Sequence, residues 1–159
     1  MSRSVQNTHI KKQVRSLHEA LIDIISVINR RQGDEMMIRE AGISLDRALF
    51  PLLVGIERRG PIGVVDLADR MGRDYTTVSR QVAKLESLGL VKRHASKADR
   101  RVSEATITPN GKTMTDAVDR ARERIVGGMF ASWDDHDVDE LVRLMRKLAD
   151  AMTAPEDPA

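Results

Sequence analysis

The chain has 159 residues, 41% hydrophobic and only 3% aromatic, with a formal net charge of +2; this is enough for one domain with a real core, or two small lobes sharing one, and too apolar for a disordered chain. It contains no cysteine, which excludes disulfides, thiolate nucleophiles, cysteine-based zinc sites and thiol redox sensing. No run is long and apolar enough to span a membrane, and the polar stretch Met1 to His9 lacks an apolar signal core, so a cytoplasmic protein is expected.

In chain order, Val14, Leu17, Leu21, Ile24, Ile25 and Ile28 recur at spacings of three and four and predict a helix from about Thr8 to Arg31. Gly33 breaks the pattern before Met36, Met37 and Ile38. A second helix is expected from Ser44, a plausible N-cap, to Arg58, with Leu45, Ala48, Leu49, Leu52, Leu53 and Ile56 on one face. Pro51 falls inside that run, where it would remove a backbone hydrogen bond and kink the helix; Gly60-Pro61 ends it.

A short helix follows from Gly63 to Gly72, with Val64, Leu67, Ala68 and Met71 inward. Gly72-Arg73-Asp74 is the turn, and Asp74 is the N-cap candidate for a helix from Tyr75 to Leu88, stopped by Gly89. Two strands, Leu90 to Ala95 and Val102 to Thr108, flank the basic loop Ser96 to Arg101. Two more helices close the chain: one from Pro109 to Phe130, and one capped by Asp134 that carries Val138, Leu141, Leu144, Leu148 and Met152.

Charge is unevenly distributed along this order. Pro61 to Arg101 holds nine Lys/Arg against five acids, whereas Ser132 to Ala159 holds eight acids against three bases. A basic middle and an acidic end point to a polyanion facing the middle.

In the helix from Tyr75 to Leu88, Val78, Val82, Leu85 and Leu88 share one face. At 100° per residue the opposite face carries Thr76, Arg80 and Ser87, flanked by Thr77 and Lys84. Arginine can bond guanine O6 and N7 together, and threonine and serine can bond base edges or phosphates. The first turns of a recognition helix reach bases, which favours Tyr75, Thr76, Thr77 and Arg80; Arg73 and Ser79 are expected at phosphates. In the loop, Lys97, Arg100 and Arg101 supply cations. Asp99 can hold the Arg101 guanidinium in a two-point pair and aim it at a minor groove, where the potential is most negative.

The runs Val65-Asp-Leu-Ala-Asp-Arg-Met-Gly, Thr77-Val-Ser-Arg-Gln-Val-Ala-Lys-Leu-Glu-Ser-Leu-Gly-Leu-Val-Lys-Arg, Asp99-Arg-Arg and Ile107-Thr-Pro-Asn-Gly-Lys112 together resemble the MarR family of winged-helix regulators. The resemblance implies a mainly α fold with a small β-hairpin wing: a winged helix-turn-helix lobe plus a helical dimerisation lobe from the N- and C-terminal helices. The corresponding division is residues 1–43, a first dimerisation helix and connection; 44–111, the DNA-binding lobe; 112–153, the C-terminal dimerisation helices; and 154–159, a disordered tail. It also implies a ligand-responsive repressor, homodimeric on palindromic double-stranded DNA, with Thr76, Thr77, Ser79 and Arg80 in the recognition helix and Asp99 and Arg101 in the wing. Many members of the family release DNA on binding a phenolic or aromatic carboxylate. For such an anionic ligand, Arg15 and His18 are the polar candidates and Met36, Met37, Phe50 and Leu53 the apolar walls.

His9, His18, His94 and His136 are scattered, so no metal or other cofactor is expected. No nucleophile–base pair or phosphate-cradling loop suggests an enzyme. The alternative reading is an architectural or protein-interaction winged helix without ligand control.

Overall fold

The structure, a computed structural model, describes residues 3–154 and the side chains of 9–30 and 32–154. The expected disordered tail, apart from Ala154, lies outside the described residues. Among the described residues, seven helices accompany one three-stranded antiparallel sheet. No described helix is long and apolar enough to cross a membrane.

Helix α1 spans Arg3–Ile28. A helix not expected from the sequence follows, α2 at Arg31–Ala41. Gly33 sits in its first turn, where backbone N–H groups lack helical partners in any case and flexibility costs least. Gly42, at φ 65°, ends α2 in the left-handed conformation, with its N–H donated to the Arg39 carbonyl.

The next helix, α3, begins at Phe50 and runs to Arg59, six residues later than the Ser44 start expected. Asp46 explains the delay. Its Oδ1 accepts the Ala48 N–H at 2.7 Å, and its carbonyl accepts the N–H groups of Leu49 and Phe50, closing a turn ahead of the helix. Pro51 therefore stands in the first helical turn, where its missing N–H has no partner to lose. The expected kink is not needed.

A two-residue strand, β1 (Ile62–Gly63), was also unforeseen; it precedes α4 (Val64–Met71) and α5 (Tyr75–Ser87). Strands β2 (Val91–Ala95) and β3 (Ser103–Ile107) pair from Val91↔Ile107 to Ala95↔Ser103. The sheet order is β1-β3-β2, with Ile62 opposite Ala105. Helices α6 (Pro109–Met129) and α7 (Asp135–Thr153) complete the chain.

The chain divides into two compact units between Ala121 and Arg122, within α6. The core of the first unit gathers Leu52, Leu53 and Ile56 from α3, Leu67 from α4, Val78, Val82 and Leu85 from α5, and Ala105 from β3, all fully buried. Helix α1 in the same unit keeps Ile10, Val14, Leu17, Ile24 and Ile25 exposed. In the second unit α7 has no buried residue, with Val142, Leu144, Met145 and Met152 exposed. Phe130 and Trp133 meet edge to face there, at 5.0 Å.

One junction fixes the start of α6 against the end of α5. The Thr108 hydroxyl donates to the Gly89 carbonyl at 2.6 Å and accepts the Gly111 N–H at 3.1 Å. The Thr108 N–H donates to the Leu90 carbonyl. A Cβ at Gly111 would stand 2.0 Å from the Leu90 carbonyl oxygen, so only glycine permits this approach. Gly111→Ala should lower unfolding free energy in urea by about 1–3 kcal/mol, the usual range for overpacking; an unchanged midpoint would show that α6 does not dock this closely.

Candidate nucleic-acid interface

Helix α5, the recognition helix expected from the sequence, is set by its two ends and its apolar face. Asp74 caps it: Oδ1 accepts the Thr77 N–H at 2.9 Å and Oδ2 accepts the Thr77 hydroxyl at 2.6 Å. These bonds, the hydroxyl's first, hold the Asp74 carboxyl below its ordinary value of 3.8. With Val78, Val82 and Leu85 buried, Tyr75, Thr76, Thr77, Arg80, Lys84 and Ser87 are exposed, and Ser79 is half-buried. The polar face expected from the helical wheel is therefore exposed, with one refinement. The Thr77 hydroxyl is already committed to the cap.

Arg73, expected at a phosphate, turns one guanidinium nitrogen inward instead. Its Nη1 donates to the Ala48 carbonyl at 2.9 Å and to Gln81 Oε1 at 3.1 Å. Gln81 and Lys84 line a groove of about 280 Å³ with Asp46, Ala48, Leu49 and Arg80.

At the other end of α5, Glu86 holds the wing. Its Oε2 accepts the Arg93 N–H at 2.7 Å, and Oε1 accepts Nε and Nη2 of the same arginine, each at 3.2 Å. The Arg93 backbone bond, followed by its side chain, lowers the Glu86 pKa. The sequence reading missed this pair, although an acid on the last turn of a helix and an arginine just past a glycine stop is a detectable signal.

The wing tip is closed by backbone bonds from Ser96 N–H to the Val102 carbonyl and from Val102 N–H to the Asp99 carbonyl. The buried Ser96 hydroxyl accepts the Ala98 N–H at 3.2 Å. The fork expected between Asp99 and Arg101 is present: Nε to Oδ1 at 3.2 Å and Nη2 to Oδ2 at 3.3 Å, with the Arg101 N–H also on Oδ1. The Arg101 side chain is nevertheless 91% exposed. Its bonds, the side-chain ones foremost, lower the Asp99 pKa. Lys97 and Arg100 are exposed beside it.

The residues expected at a ligand are placed differently. Arg15 is exposed and pairs with Glu19 on its own helix at 3.3 Å, and His18 is exposed. Met36 lines a groove of about 320 Å³ with Gln32, Glu35 and Arg39, and Met37 is half-buried. Phe50 is buried, and Leu53 is wholly inside the core, available to back a site but not to touch a solute from the surface. Among the described residues, Asp134, His136 and Asp137 lie together at the start of α7, all exposed; Asp134 Oδ1 there accepts the Asp137 N–H as a helix cap.

Two helices joined by a tight turn, followed by a hairpin, with cations on both the second helix and the hairpin, define a winged helix-turn-helix DNA-binding lobe. The sequence model of the MarR family matches residues 45–103. The uncharacterized HTH-type transcriptional regulator YxaD of Bacillus subtilis strain 168 is 32% identical over 105 residues, covering 66% of this chain and 73% of that protein. The chain belongs to the MarR family of transcriptional regulators. Its fold is similar to that of a MarR family protein from Bacillus stearothermophilus (TM-score 0.72, 22% identity, 91% of this chain and 98% of that one). It is also similar to Staphylococcus aureus MarR, solved in complex with salicylate and kanamycin (TM-score 0.65, 15% identity, 91% and 95%).

The cap gives a pH dependence whose sign is fixed. Because folding lowers the Asp74 pKa, the ionised carboxylate stabilises the fold above the ordinary value of 3.8, and this contribution is lost as pH falls through the folded-state value. Urea unfolding of wild type and Asp74→Ala across an acid pH series should show a gap that is widest near neutrality and shrinks in acid. A gap independent of pH would mean the charge takes no part in the cap.

Proposed function

We propose that the chain is a ligand-responsive repressor acting as a homodimer on a palindromic operator. The observation that carries the DNA-binding geometry is the fork between Asp99 and an almost wholly exposed Arg101. It pre-organises a cation at a hairpin tip while leaving it open to a ligand. Helix α5 enters the major groove, where Tyr75, Thr76, the Thr77 methyl and Arg80 face base edges. Ser79, Lys84, Lys97 and Arg100 take phosphates, and Arg101 takes the minor groove.

The exposed apolar faces of α1 and α7 support the homodimer, since aliphatic patches of this kind are the usual material of a permanent interface. Two recognition helices then meet successive major grooves, about 34–36 Å apart. Ligand control rests on the family resemblance and on the salicylate complex of the Staphylococcus aureus relative. Of the residues expected at a phenolic or anionic ligand, Arg15, His18 and Met36 are the exposed ones. A ligand shifts operator affinity only by preferring a dimer whose spacing does not match the DNA. The site of action would be the cytoplasm.

Selection from random duplex DNA with the purified chain should return a two-fold palindrome. Uniform, salt-sensitive binding without a motif would favour the architectural alternative. On the selected duplex, Arg101→Ala should weaken binding to all sequences, whereas Arg80→Ala should also relax base choice at one position per half-site by about 1–3 kcal/mol. Intact binding in both variants would overturn the site assignment. In sedimentation the chain should run as a dimer, and Leu17→Glu with Ile25→Glu should shift it toward monomer; a wild-type monomer at all concentrations would overturn the dimer.

A further inference from the structure

Arg73 stands in the turn between α4 and α5, just after Gly72, whose φ of 61° reverses the chain. It is half-buried, unlike Arg80, Arg100 and Arg101. Its Nη1 bridges two neutral oxygens, the Ala48 carbonyl at 2.9 Å and Gln81 Oε1 at 3.1 Å. Ala48 belongs to the turn ahead of α3, itself fixed by the bond from the Ala48 N–H to Asp46 Oδ1. Gln81 lies on α5 between the exposed Arg80 and the fully buried Val82. One nitrogen thus joins three segments: the turn at 46–49, the turn between α4 and α5, and the edge of the recognition helix.

We propose that Arg73 is a positioning residue for DNA recognition, acting through Gln81 to fix the roll of α5, and that it does not itself neutralise a phosphate. The apolar face of α5 is non-directional: burial of Val78, Val82 and Leu85 opposes withdrawal from the core but resists a small rotation about the helix axis only weakly. A hydrogen bond at the helix edge is directional and opposes rotation. Both acceptors are uncharged, so they do not neutralise the guanidinium; what they consume is the geometry of Nη1. Rotation of α5 would sweep Arg80 and Lys84, which line the groove next to Gln81, away from the register that bases and phosphates require.

This inference rests on the reading of α5 as a recognition helix, and the test separates failure of the two. The probe is a duplex recovered from random DNA by the wild-type chain, titrated over a range of salt concentrations. Arg73→Ala and Gln81→Ala should each weaken binding about five- to tenfold, and the double variant should be no weaker than the worse single one, as for residues acting as one unit. Neither should change the slope of log affinity against log salt. A lost phosphate contact would instead reduce that slope by about 0.9.

A reduced slope for Arg73→Ala, additive effects, or a lowered melting temperature with unchanged affinity would each overturn the proposal. If Arg73→Ala does not fold, Gln81→Ala alone decides, since a neutral side chain has no charge to release a counterion: weaker binding at an unchanged slope supports the positioning role, and unchanged binding overturns it. A wild-type chain that selects no duplex would refute the recognition-helix reading itself.

Discussion

The exposed polar face of α5 is set by the burial of Val78, Val82 and Leu85, all fully enclosed in one cluster with residues of α3, α4 and the sheet. Successive residues on a helix are turned by about 100°. A slip of one residue would bury Lys84 in one direction or Glu86 in the other in a hydrocarbon core, at a desolvation cost no surface contact could repay. The core thereby chooses which side chains meet solvent, and the two ends choose the tilt. Asp74 anchors the first turn through both the backbone and the hydroxyl of Thr77, and Glu86 clasps Arg93 at the last.

Three acidic residues within this basic lobe have a common use. Asp74, Glu86 and Asp99 all have lowered pKa values, each because it accepts hydrogen bonds from a neighbouring backbone and side chain. They reduce the positive field somewhat, but they also reduce the number of conformations a polyanion would have to freeze. An arginine held by a two-point fork loses less freedom on binding than a free one. The lobe trades raw charge for aim.

The parts legible in the sequence are those where period and punctuation agree. Helices α4 and α5 and the hairpin could be read because apolar spacing is interrupted by Gly72 and Gly89, both at positive φ. Helix α2 was hidden by Gly33, which looks like a break but occupies a first turn. Strand β1 has two residues, too few for any alternation to show. The start of α3 was misplaced because Ser44 resembles a cap, whereas the Asp46 turn and Pro51 decide the boundary. In the site, the exposed set could be read from the helical wheel and the Asp99–Arg101 fork from spacing. The inward bonds of Arg73 could not, because its partner Ala48 lies 25 residues away and offers only a backbone carbonyl. Leu53 looked equally suited to a pocket wall and to a core, and tertiary packing assigned it to the core.

The hairpin is also a ruler. Its base is pinned where Thr108 bonds the Gly89 and Leu90 carbonyls, and its tip is closed between Ser96 and Val102. Five residues of extended chain, Val91–Ala95, span roughly 17 Å at about 3.4 Å each. That exceeds the roughly 12 Å width of a major groove. A tip carried that far from the end of α5 can clear the phosphate ridge and come down on its far side. Removing two residues from each strand, which keeps the alternation of faces, would shorten the reach by about 7 Å. Hairpin length is thus a coordinate, separate from the length of α5, along which the spacing between the two proposed DNA contacts can be set.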